Sequence, residues 1–193
     1  MTPQPDLFAG ETESPQGFAY RPDFLDPDEE QELAARIAEL PFEPFAFHGF
    51  LGKRRVVSFG WQYVFDGSGL KRTEDIPAFL LPVRARAAAF AGLPPEQMQH
   101  VLVTEYAPGA GIGWHKDRSV FGEVVGLSLL APARLRFRRR RDDAWERLSL
   151  TAEPRSAYLL SGEARTEWEH SIPGLEALRY SITFRNFREG AAR

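Results

Sequence analysis

The chain has 193 residues and no cysteine, with 43% hydrophobic and 12% aromatic residues, which fits one globular domain with a sizeable core. The absence of cysteine excludes disulfides, thiolate zinc sites, iron–sulfur clusters and cysteine nucleophiles, so a metal would need histidine and carboxylate ligands. The apolar runs are shorter than the roughly 20 residues that cross a bilayer, and the acidic N-terminus does not resemble a signal peptide. We therefore expect a cytoplasmic protein with no membrane partner. We also expect it to be a monomer.

The net charge of −3 is unevenly distributed along the chain. Residues 1–40 contain ten acidic and two basic residues, a net charge of −8, so the rest of the chain carries +5. Arginine supplies 21 of the 24 basic residues, and its planar guanidinium can grip a carboxylate or phosphate with two hydrogen bonds. The average charge thus hides an acidic N-terminal region and a basic body.

Residues 1–17 are polar, acidic and rich in proline and glycine, which predicts a disordered acidic tail. Within it, Gln4–Phe8 (QPDLF) resembles the short motif by which replication and repair proteins dock on the bacterial sliding clamp, although Pro5 replaces the usual leucine. A tail without a partner is the alternative interpretation. Residues 18–193 are expected to form a single domain.

Two helices are predicted in the first half of the chain. The first covers residues 27–40, with Asp26 as N-cap and Leu33 and Ile37 on one apolar face. The second covers residues 77–91 and is less regular because Pro82 lies within it, with Phe79, Val83 and Phe90 facing the core.

β-Structure is predicted elsewhere. Residues 55–65 are rich in β-branched and aromatic side chains, which indicates a strand or hairpin. From residue 100 onward, short apolar segments alternate with turn signals, which is typical of a β-sandwich or barrel. The chain therefore predicts helices first and a β core afterwards.

The spacing His115-x-Asp117, followed by His170, is the main chemical signal. Two histidines and one carboxylate form the facial triad that holds Fe(II) and leaves coordination positions open. Residues two apart on an extended segment point the same way, and His170 would come from a second strand. The alternative is a surface histidine at position 115 and a hydrogen-bonded core histidine at position 170.

Strict alternation over residues 179–185 places four polar side chains on one strand face: Arg179, Ser181, Thr183 and Arg185. Two arginines on such a face could hold a small dicarboxylate, because arginine–carboxylate pairs are strong and directional. On a second strand, Thr104 and Tyr106 share a face, and the phenol could bind a carboxylate oxygen. Two solvated arginines on an exposed strand are the alternative.

Residues 105–117, 168–173 and 179–185, in this order and spacing, resemble the AlkB family of Fe(II)- and 2-oxoglutarate-dependent dioxygenases, and the resemblance covers roughly residues 45–188. It implies iron ligation by His115, Asp117 and His170. It implies 2-oxoglutarate binding by Arg179, Arg185 and Tyr106. The family usually has asparagine where this chain has Thr104, and often where it has Ser181, so two shorter hydroxyls would serve the co-substrate here.

The resemblance also implies a fold and a reaction. The fold is an α+β double-stranded β-helix, or jelly roll, with N-terminal helices packed on one side. The reaction uses O2 and Fe(II), converts 2-oxoglutarate to succinate and CO2, and hydroxylates a C–H bond. A hydroxylated N-methyl group then leaves as formaldehyde. In the family, the turn that holds Gly109, Gly111 and Gly113 leads to the metal ligands.

The substrate is less constrained, because the family acts on alkylated DNA, RNA and proteins. Residues 52–67 resemble the segment that covers and stacks the target base in members acting on nucleic acid, which makes five residues substrate candidates: Arg54, Arg55, Phe59, Trp61 and Tyr63. The same spacing also fits the buried face of a core strand. Alkylated nucleic acid is the expected partner. A protein side chain, a small molecule, or a non-catalytic reader of modified nucleic acid are the alternatives.

Residues 134–141 contain six arginines in eight positions. This run could contact phosphates, or it could be a solvated hairpin balanced by Asp142, Asp143 and Glu146. His48 and His100 have no ligand pattern nearby and are expected to be structural or exposed to solvent.

Overall fold

A computed structural model of the chain describes residues 14–47, 50–64, 69–188 and 190. Three α-helices lie in these ranges: α1 Pro27–Ala38, α2 Leu81–Phe90 and α3 Gly162–Thr166. Two short 3-10 helices cover Ala78–Leu80 and Pro95–Gln97. The described helices include none with the length and hydropathy that crossing a membrane requires.

Helix α1 begins where the sequence predicts. The carboxylate of Asp26 accepts a hydrogen bond from the Glu29 backbone amide at 2.8 Å, and the Glu29 side chain accepts one from the Asp26 amide at 3.0 Å. This capping box satisfies two of the amides that a helix start leaves without partners. Leu33 and Ile37 are buried on the inner face, as expected.

The second predicted helix is divided near Pro82. A 3-10 turn precedes α2, and Pro82 occupies the first turn of α2, where a missing amide proton costs nothing. Val83 is buried, and Phe79 and Phe90 pack against the same core. The predicted inward face is therefore confirmed, although the element is not one continuous helix.

Thirteen strands are described. The first seven are β1 Phe18–Arg21, β2 Glu43–Phe47, β3 Phe50–Phe59, β4 Trp61–Val64, β5 Gly69–Arg72, β6 His100–Tyr106 and β7 Ile112–His115. The other six are β8 Phe121–Leu129, β9 Ala133–Arg141, β10 Ala144–Ala152, β11 Ala157–Leu160, β12 Glu169–Ile172 and β13 Arg179–Phe187.

The strands form two main sheets and a hairpin. The larger sheet has seven strands in the order β1-β11-β8-β13-β6-β3-β2, the smaller has four in the order β10-β9-β12-β7, and β4 pairs with β5. One hydrophobic cluster joins the helices to the larger sheet, for example Ile37 and Val83 with Ile182. A second contains side chains from both sheets, including Phe137 and Leu160. The predicted jelly roll with helices on one side is confirmed.

The folded part of the chain begins before residue 18. The Gln16 carbonyl accepts a hydrogen bond from the Ala164 amide at 2.8 Å, and the Gly17 carbonyl accepts one from the Ser161 amide at 2.9 Å. Gly17 has φ +86°, and a Cβ there would collide with the Ser161 carbonyl. Gln16 and Gly17 therefore pack against the folded domain although the tail was predicted to extend to residue 17, and Gln4–Phe8 lies outside the described residues.

The segment predicted as one strand or hairpin over residues 55–65 is broken at Gly60. Gly60 has φ +75°, and a Cβ at this position would collide with the Gln99 carbonyl. Positive φ is readily available only to glycine. The turn ends β3 at Phe59 and starts β4 at Trp61, so side chains on the two sides of Gly60 no longer follow one alternation.

Candidate metal and co-substrate site

The structure brings together His115, Asp117 and His170 at one edge of the smaller sheet. His115 ends β7, His170 lies directly opposite it on β12, and Asp117 follows two residues after His115. One possible ligand atom from each residue lies within 4.8 Å of the others. Two imidazoles and one carboxylate at this spacing can hold a divalent iron on one side and leave the opposite side open.

The charge state of this cluster suits metal binding. Burial alone would raise the pKa of Asp117. The charge of Arg185, together with the two histidines, more than offsets this effect and lowers the pKa below its usual value, so the carboxylate stays ionised. Burial, and then the charge of His115, lowers the pKa of His170 to about 3. Burial also lowers the pKa of His115. Neutral imidazoles and an ionised carboxylate are the forms that bind metals.

The orientation of His115 is fixed by its own turn. The Nδ1 of His115 donates to the Gly113 carbonyl at 2.9 Å. A proton on Nδ1 leaves Nε2 with a lone pair, and this is the usual arrangement of a metal-binding histidine.

The loop after Asp117 is held by a buried arginine that sequence reasoning missed. The guanidinium of Arg165, on α3, donates to the backbone carbonyls of Arg118, Phe121 and Gly122. Arg165 is 5% exposed. Three bonds from one rigid group fix the segment that leads away from Asp117, which restricts where the carboxylate can lie.

Arg179, at the start of β13, is fully buried with 0% exposure. Its Nε donates to the Ser128 hydroxyl at 2.9 Å, and its guanidinium carbon lies 5.1 Å from the centre of the Tyr106 ring. Its Nη1 and Nη2 have no hydrogen-bond partner. A buried cation with unpaired donors is costly, so this end of the site is complementary to an anion.

The strand register aligns polar groups around Arg179. Tyr106 lies opposite Arg179, and Thr104 lies opposite Ser181, both between β6 and β13. Ser181 also lies opposite Ser128 of β8. Thr104, Ser181 and Ser128 are all buried, with 4%, 4% and 0% exposure. The hydroxyls of Thr104 and Ser181 therefore lie side by side, as predicted. Ser128, which the sequence alone did not indicate, lies next to them, and we call these three residues the hydroxyl row.

Arg185, at the other end of the predicted arginine face, has an internal partner. Its Nη2 and Nε lie 2.6 Å and 2.8 Å from Oδ1 of Asp117. His100 lies opposite Arg185 on β6, and its Nδ1 lies 3.4 Å from Arg185 Nη1. Burial and the charge of Arg185 keep the pKa of His100 well below 6.5. His100 thus has the structural role expected for it, while His48 lies outside the described residues.

Tyr158, on β11, is a second phenol near this site that sequence reasoning missed. It lies opposite Gly126 of β8, and a Cβ on Gly126 would collide with its ring and hydroxyl. Burial raises the pKa of Tyr158 to about 12, and the charge of Arg179 opposes this shift. The phenol is therefore protonated at neutral pH and can donate a hydrogen bond, and it interacts electrostatically with Arg179. The sequence contains both Gly126 and Tyr158, but their relation becomes visible only when β8 and β11 are known to pair, and local patterns do not predict that pairing.

The glycine-containing turn before His115 packs against the segment after β12. The Gly109 amide donates to the Leu175 carbonyl at 2.6 Å. A Cβ on Gly111 would lie 2.6 Å from the Ile172 carbonyl oxygen. These close approaches hold the strands of His115 and His170 together.

The candidate base-stacking residues are separated by the turn at Gly60. Phe59 is 3% exposed and belongs to the hydrophobic core, so the stacking interpretation is wrong for this residue. Trp61 packs edge-on against Phe187, with ring centres 5.5 Å apart. Tyr63 lies below the guanidinium of Arg118 at 4.8 Å. Trp61 and Tyr63 are both half-buried, and Tyr63 lies beside the loop that follows Asp117.

The two candidate arginines of β3 point in opposite directions. Arg54 lies opposite Tyr106, is half-buried and stacks on Phe45 at 3.8 Å. The register places Arg54 on the same sheet face as Tyr106 and Arg179, and its charge contributes to lowering the pKa of His115. Arg55 makes a bidentate ion pair with Glu105, at 2.7 Å and 2.9 Å, on the other face. Arg54 is the better placed of the two to meet a substrate.

The arginines of β9 alternate between two environments. Arg139 forms ion pairs with Glu146, Glu163 and Glu167 at 2.7, 2.8 and 3.3 Å. Arg138, on the opposite face, pairs with Glu169 at 2.6 Å. The balancing acids come mostly from α3, its C-cap and β12 rather than from the hairpin turn.

The residues of this site fit a metal and a dicarboxylate. Three ligand atoms converge beside one buried arginine that is neutralised by Asp117, and a second buried arginine lacks acceptors for two nitrogens. The donor set suits Fe(II), and Arg179 with its neighbouring phenols and hydroxyls suits a carboxylate.

Comparisons with known proteins agree with this chemistry. The family model described as the 2OG-Fe(II) oxygenase superfamily matches residues 17–185. Among solved structures, OsALKBH1 superposes with a TM-score of 0.69 at 18% identity, covering 88% of this chain and 96% of that one. A prolyl-4-hydroxylase of Pseudomonas putida gives 0.59 at 16% identity, covering 89% and 93%. At these identities the structures show a shared fold.

Curated relatives carry AlkB names. The alkylated DNA repair protein ALKBH8 homolog of Arabidopsis thaliana is 32% identical over 182 residues, which cover 81% of this chain and 51% of the relative. The alpha-ketoglutarate-dependent dioxygenase AlkB of Escherichia coli K12 is 35% identical over 112 residues, covering 52% and 50%. The chain thus spans about half the length of these relatives. Since the family model extends over most of the sequence, the chain belongs to the 2OG-Fe(II) oxygenase superfamily as an AlkB-like member, and the cofactors of this family are Fe(II), 2-oxoglutarate and O2.

Proposed function

We propose that this chain is a 2-oxoglutarate-dependent dioxygenase that removes alkyl groups from nucleic-acid bases. The observation that carries the proposal is the position of three potential iron ligands beside a buried arginine with two unpaired nitrogens. Bound Fe(II) supplies the oxidation: one O2 and one 2-oxoglutarate give succinate, CO2 and a hydroxylated methyl group. The hydroxymethyl group then leaves the base nitrogen as formaldehyde, and the nitrogen recovers a proton.

His115, Asp117 and His170 are proposed to hold the iron. Arg185 supports Asp117 by neutralising its charge and fixing Oδ1, which leaves Oδ2 for the metal. Oδ2 already faces His170 Nε2 at 3.6 Å, and this distance is suitable for two atoms that share a metal. In this arrangement Arg185 acts through Asp117, and any contact of Arg185 with 2-oxoglutarate comes in addition to that role.

Arg179 is proposed to bind the carboxylate of 2-oxoglutarate that lies farther from the iron. Its Nη1 and Nη2 can donate two parallel hydrogen bonds to one carboxylate, and such bonds in a buried place are strong. Tyr106, Thr104 and Ser181 complete the surroundings from the paired strands. We add Tyr158 to this set as a further donor, because it lies opposite Gly126, which in turn lies opposite Thr183 on the face of β13 that contains Arg179.

The nucleic-acid part of the proposal rests on relatives and on charge. The Arabidopsis relative is named as an alkylated DNA repair protein, and the body of this chain outside residues 1–40 carries +5. Arg54 is half-buried and shares the sheet face of Tyr106 and Arg179, so it is the better placed of the two β3 arginines to contact a base or its phosphate. Cytoplasmic location and docking to a sliding clamp through Gln4–Phe8 belong to the same proposal and are supported by the sequence alone.

The first experiment tests the enzyme class. Purified protein with Fe(II), 2-oxoglutarate and O2 should release succinate, and His115→Ala should abolish this release. Retention of all three ligand residues argues against a non-catalytic reader. Succinate formation that persists in His115→Ala would overturn the assigned metal site.

The second experiment tests the substrate class. Mass spectrometry should detect a loss of 14 mass units from N-methylated single-stranded oligonucleotides and equimolar formaldehyde. Methylated peptides, incubated in parallel, should remain unchanged. Demethylation of peptides alone would replace the nucleic-acid proposal with a protein substrate.

A further inference from the structure

The outer face of the smaller sheet, turned away from the metal ligands, is strongly basic and contains two tryptophans. Cross-strand pairing places Arg138 beside Arg147 of β10 and beside Glu169 of β12. Since alternate residues share a face, this surface includes five arginines and one glutamate: Arg134, Arg136, Arg138, Arg140, Arg147 and Glu169. We call it the arginine–tryptophan face, and it also contains Trp114 and Trp145.

The aromatic rings and guanidinium groups on this face are interleaved. The guanidinium of Arg138 lies 4.4 Å from the centre of the Trp114 ring and 4.5 Å from that of Trp145. Arg136 adds a contact with Trp114 at 5.1 Å, and Arg140 and Arg147 each lie 6.0 Å from Trp145. Guanidinium groups within about 6 Å of a tryptophan ring centre make cation–π contacts, and we call this series of four guanidinium groups and two rings the ladder.

One ring and two guanidinium groups of the ladder remain exposed to solvent. Trp145 is 37% exposed, although large apolar side chains are usually buried. The Arg140 side chain is 57% exposed, and its nearest acid, Asp143, is 3.8 Å away and fully exposed. Arg147 is exposed, and its hydrogen bond goes to the Trp145 carbonyl rather than to an acid. Arg139, which points to the other face, has three glutamate partners. The positive charge is thus concentrated on one side of the strand.

The position of the face connects it to the site. Strand β7 is the edge strand of the smaller sheet, and on it Trp114 directly precedes the metal-ligand candidate His115. From β10 to β7 the sheet spans three strand spacings, about 14 Å at about 4.8 Å each. The ladder therefore runs from Trp145 at the hairpin, through Arg138, to the strand edge where His115 lies on the opposite face.

We propose that the arginine–tryptophan face binds the nucleotides that flank the target base, as a single strand. Exposed aromatic faces stack on unpaired bases, and arginines bind the intervening phosphates. A duplex would keep its bases stacked on each other and unavailable to Trp145. This inference rests on the proposed nucleic-acid substrate and adds to it a second surface outside the metal site.

The test measures binding of a fluorescent, unmethylated single-stranded 12-mer by anisotropy at several salt concentrations. The double variant Arg140→Gln with Arg147→Gln should reduce the slope of log affinity against log salt by about 1.4, at roughly 0.7 per lost phosphate contact. Trp145→Ala should weaken binding about tenfold, and Trp145→Phe should largely restore it. The matched control, Arg21→Gln with Arg36→Gln, removes two exposed charges elsewhere and should leave the slope unchanged.

A second measurement separates this inference from the proposed function. Turnover of a methylated nucleoside, which cannot reach the ladder, should be equal in the wild type and in Trp145→Ala, while turnover of the methylated 12-mer should fall in the variant. Wild-type slope and affinity in both Arg140/Arg147 and Trp145 variants would overturn the inference even if demethylation occurs. A loss of acidic-peptide binding in these variants, with oligonucleotide binding intact, would overturn it in favour of a protein partner. Absence of demethylation in the wild type would instead contradict the proposed function.

Discussion

The two ends of strand β13 contain buried arginines in opposite electrostatic situations. Arg185 is paired at 2.6 Å with Asp117, so the metal end is neutralised by the protein itself. Arg179 is fully buried and two of its nitrogens have no acceptor. We infer that the metal end is preformed, whereas the proposed co-substrate end presents donors that match a bound anion. Such an end favours a bound dicarboxylate and disfavours an empty site.

Breaking the metal-end pair should have the largest effect. Asp117→Ala leaves Arg185 buried and unpaired, so the metal-free protein should lose about 3–5 kcal/mol of unfolding free energy, measured by urea denaturation with a chelator present. The control Asp117→Asn keeps the shape and a hydrogen-bond acceptor and should lose less. An Asp117→Ala protein as stable as the wild type would show that the pair does not neutralise this end.

Removing Arg179 should change the unfolding free energy in the opposite direction. Arg179→Met deletes an uncompensated buried cation, so the unfolding free energy without ligand should stay equal or rise, by about 1–3 kcal/mol. Turnover should nevertheless be lost. A fall as large as that of Asp117→Ala would mean that Arg179 is already compensated in the empty protein.

A smaller change at the co-substrate end concerns Tyr158. Tyr158→Phe removes one donor to a charged group, so the dissociation constant of 2-oxoglutarate should rise about tenfold or more, measured by calorimetry on the Mn(II)-loaded protein. Gly126→Ala, which would displace the same ring, should weaken binding similarly. Unchanged affinity in Tyr158→Phe would remove this residue from the site.

The smallest expected effect concerns the hydroxyl row. Thr104→Val keeps the shape of a buried side chain and deletes one neutral hydrogen-bonding group, so the affinity for 2-oxoglutarate should fall about threefold. Serine at the same position should retain most of the affinity. If valine binds as well as threonine, the hydroxyl that stands where the family has asparagine contributes nothing to co-substrate binding.

The sequence predicted the site best where the relevant pattern is local. Strict alternation along residues 179–185 placed Arg179 and Ser181 on one face, and the register with Thr104 and Tyr106 agrees. The same rule wrongly grouped Phe59 with Trp61 and Tyr63, because the positive φ of Gly60 ends the strand between Phe59 and Trp61. A single backbone dihedral outside the β region is enough to separate residues that the spacing groups together.

Contacts made by distant strands were beyond the sequence pattern. Ser128 and Tyr158 reach the site from β8 and β11, and Arg165 reaches the Asp117 loop from α3. These positions depend on which strands pair, and hydrophobic alternation does not specify the partner strand. The run of arginines over residues 134–141 was likewise ambiguous until the pairing showed that Arg138 and Arg139 face opposite environments.

Isothermal titration calorimetry of 2-oxoglutarate with the Mn(II)-loaded wild type and with Mn(II)-loaded Arg179→Met shows whether Arg179 holds the dicarboxylate. Mn(II) uses the same kinds of ligand as Fe(II). We expect one molecule bound per wild-type chain and an affinity reduced roughly 100-fold or more in the variant, because two charge-assisted hydrogen bonds are lost. Equal affinity in the two proteins would mean that Arg179 does not bind 2-oxoglutarate.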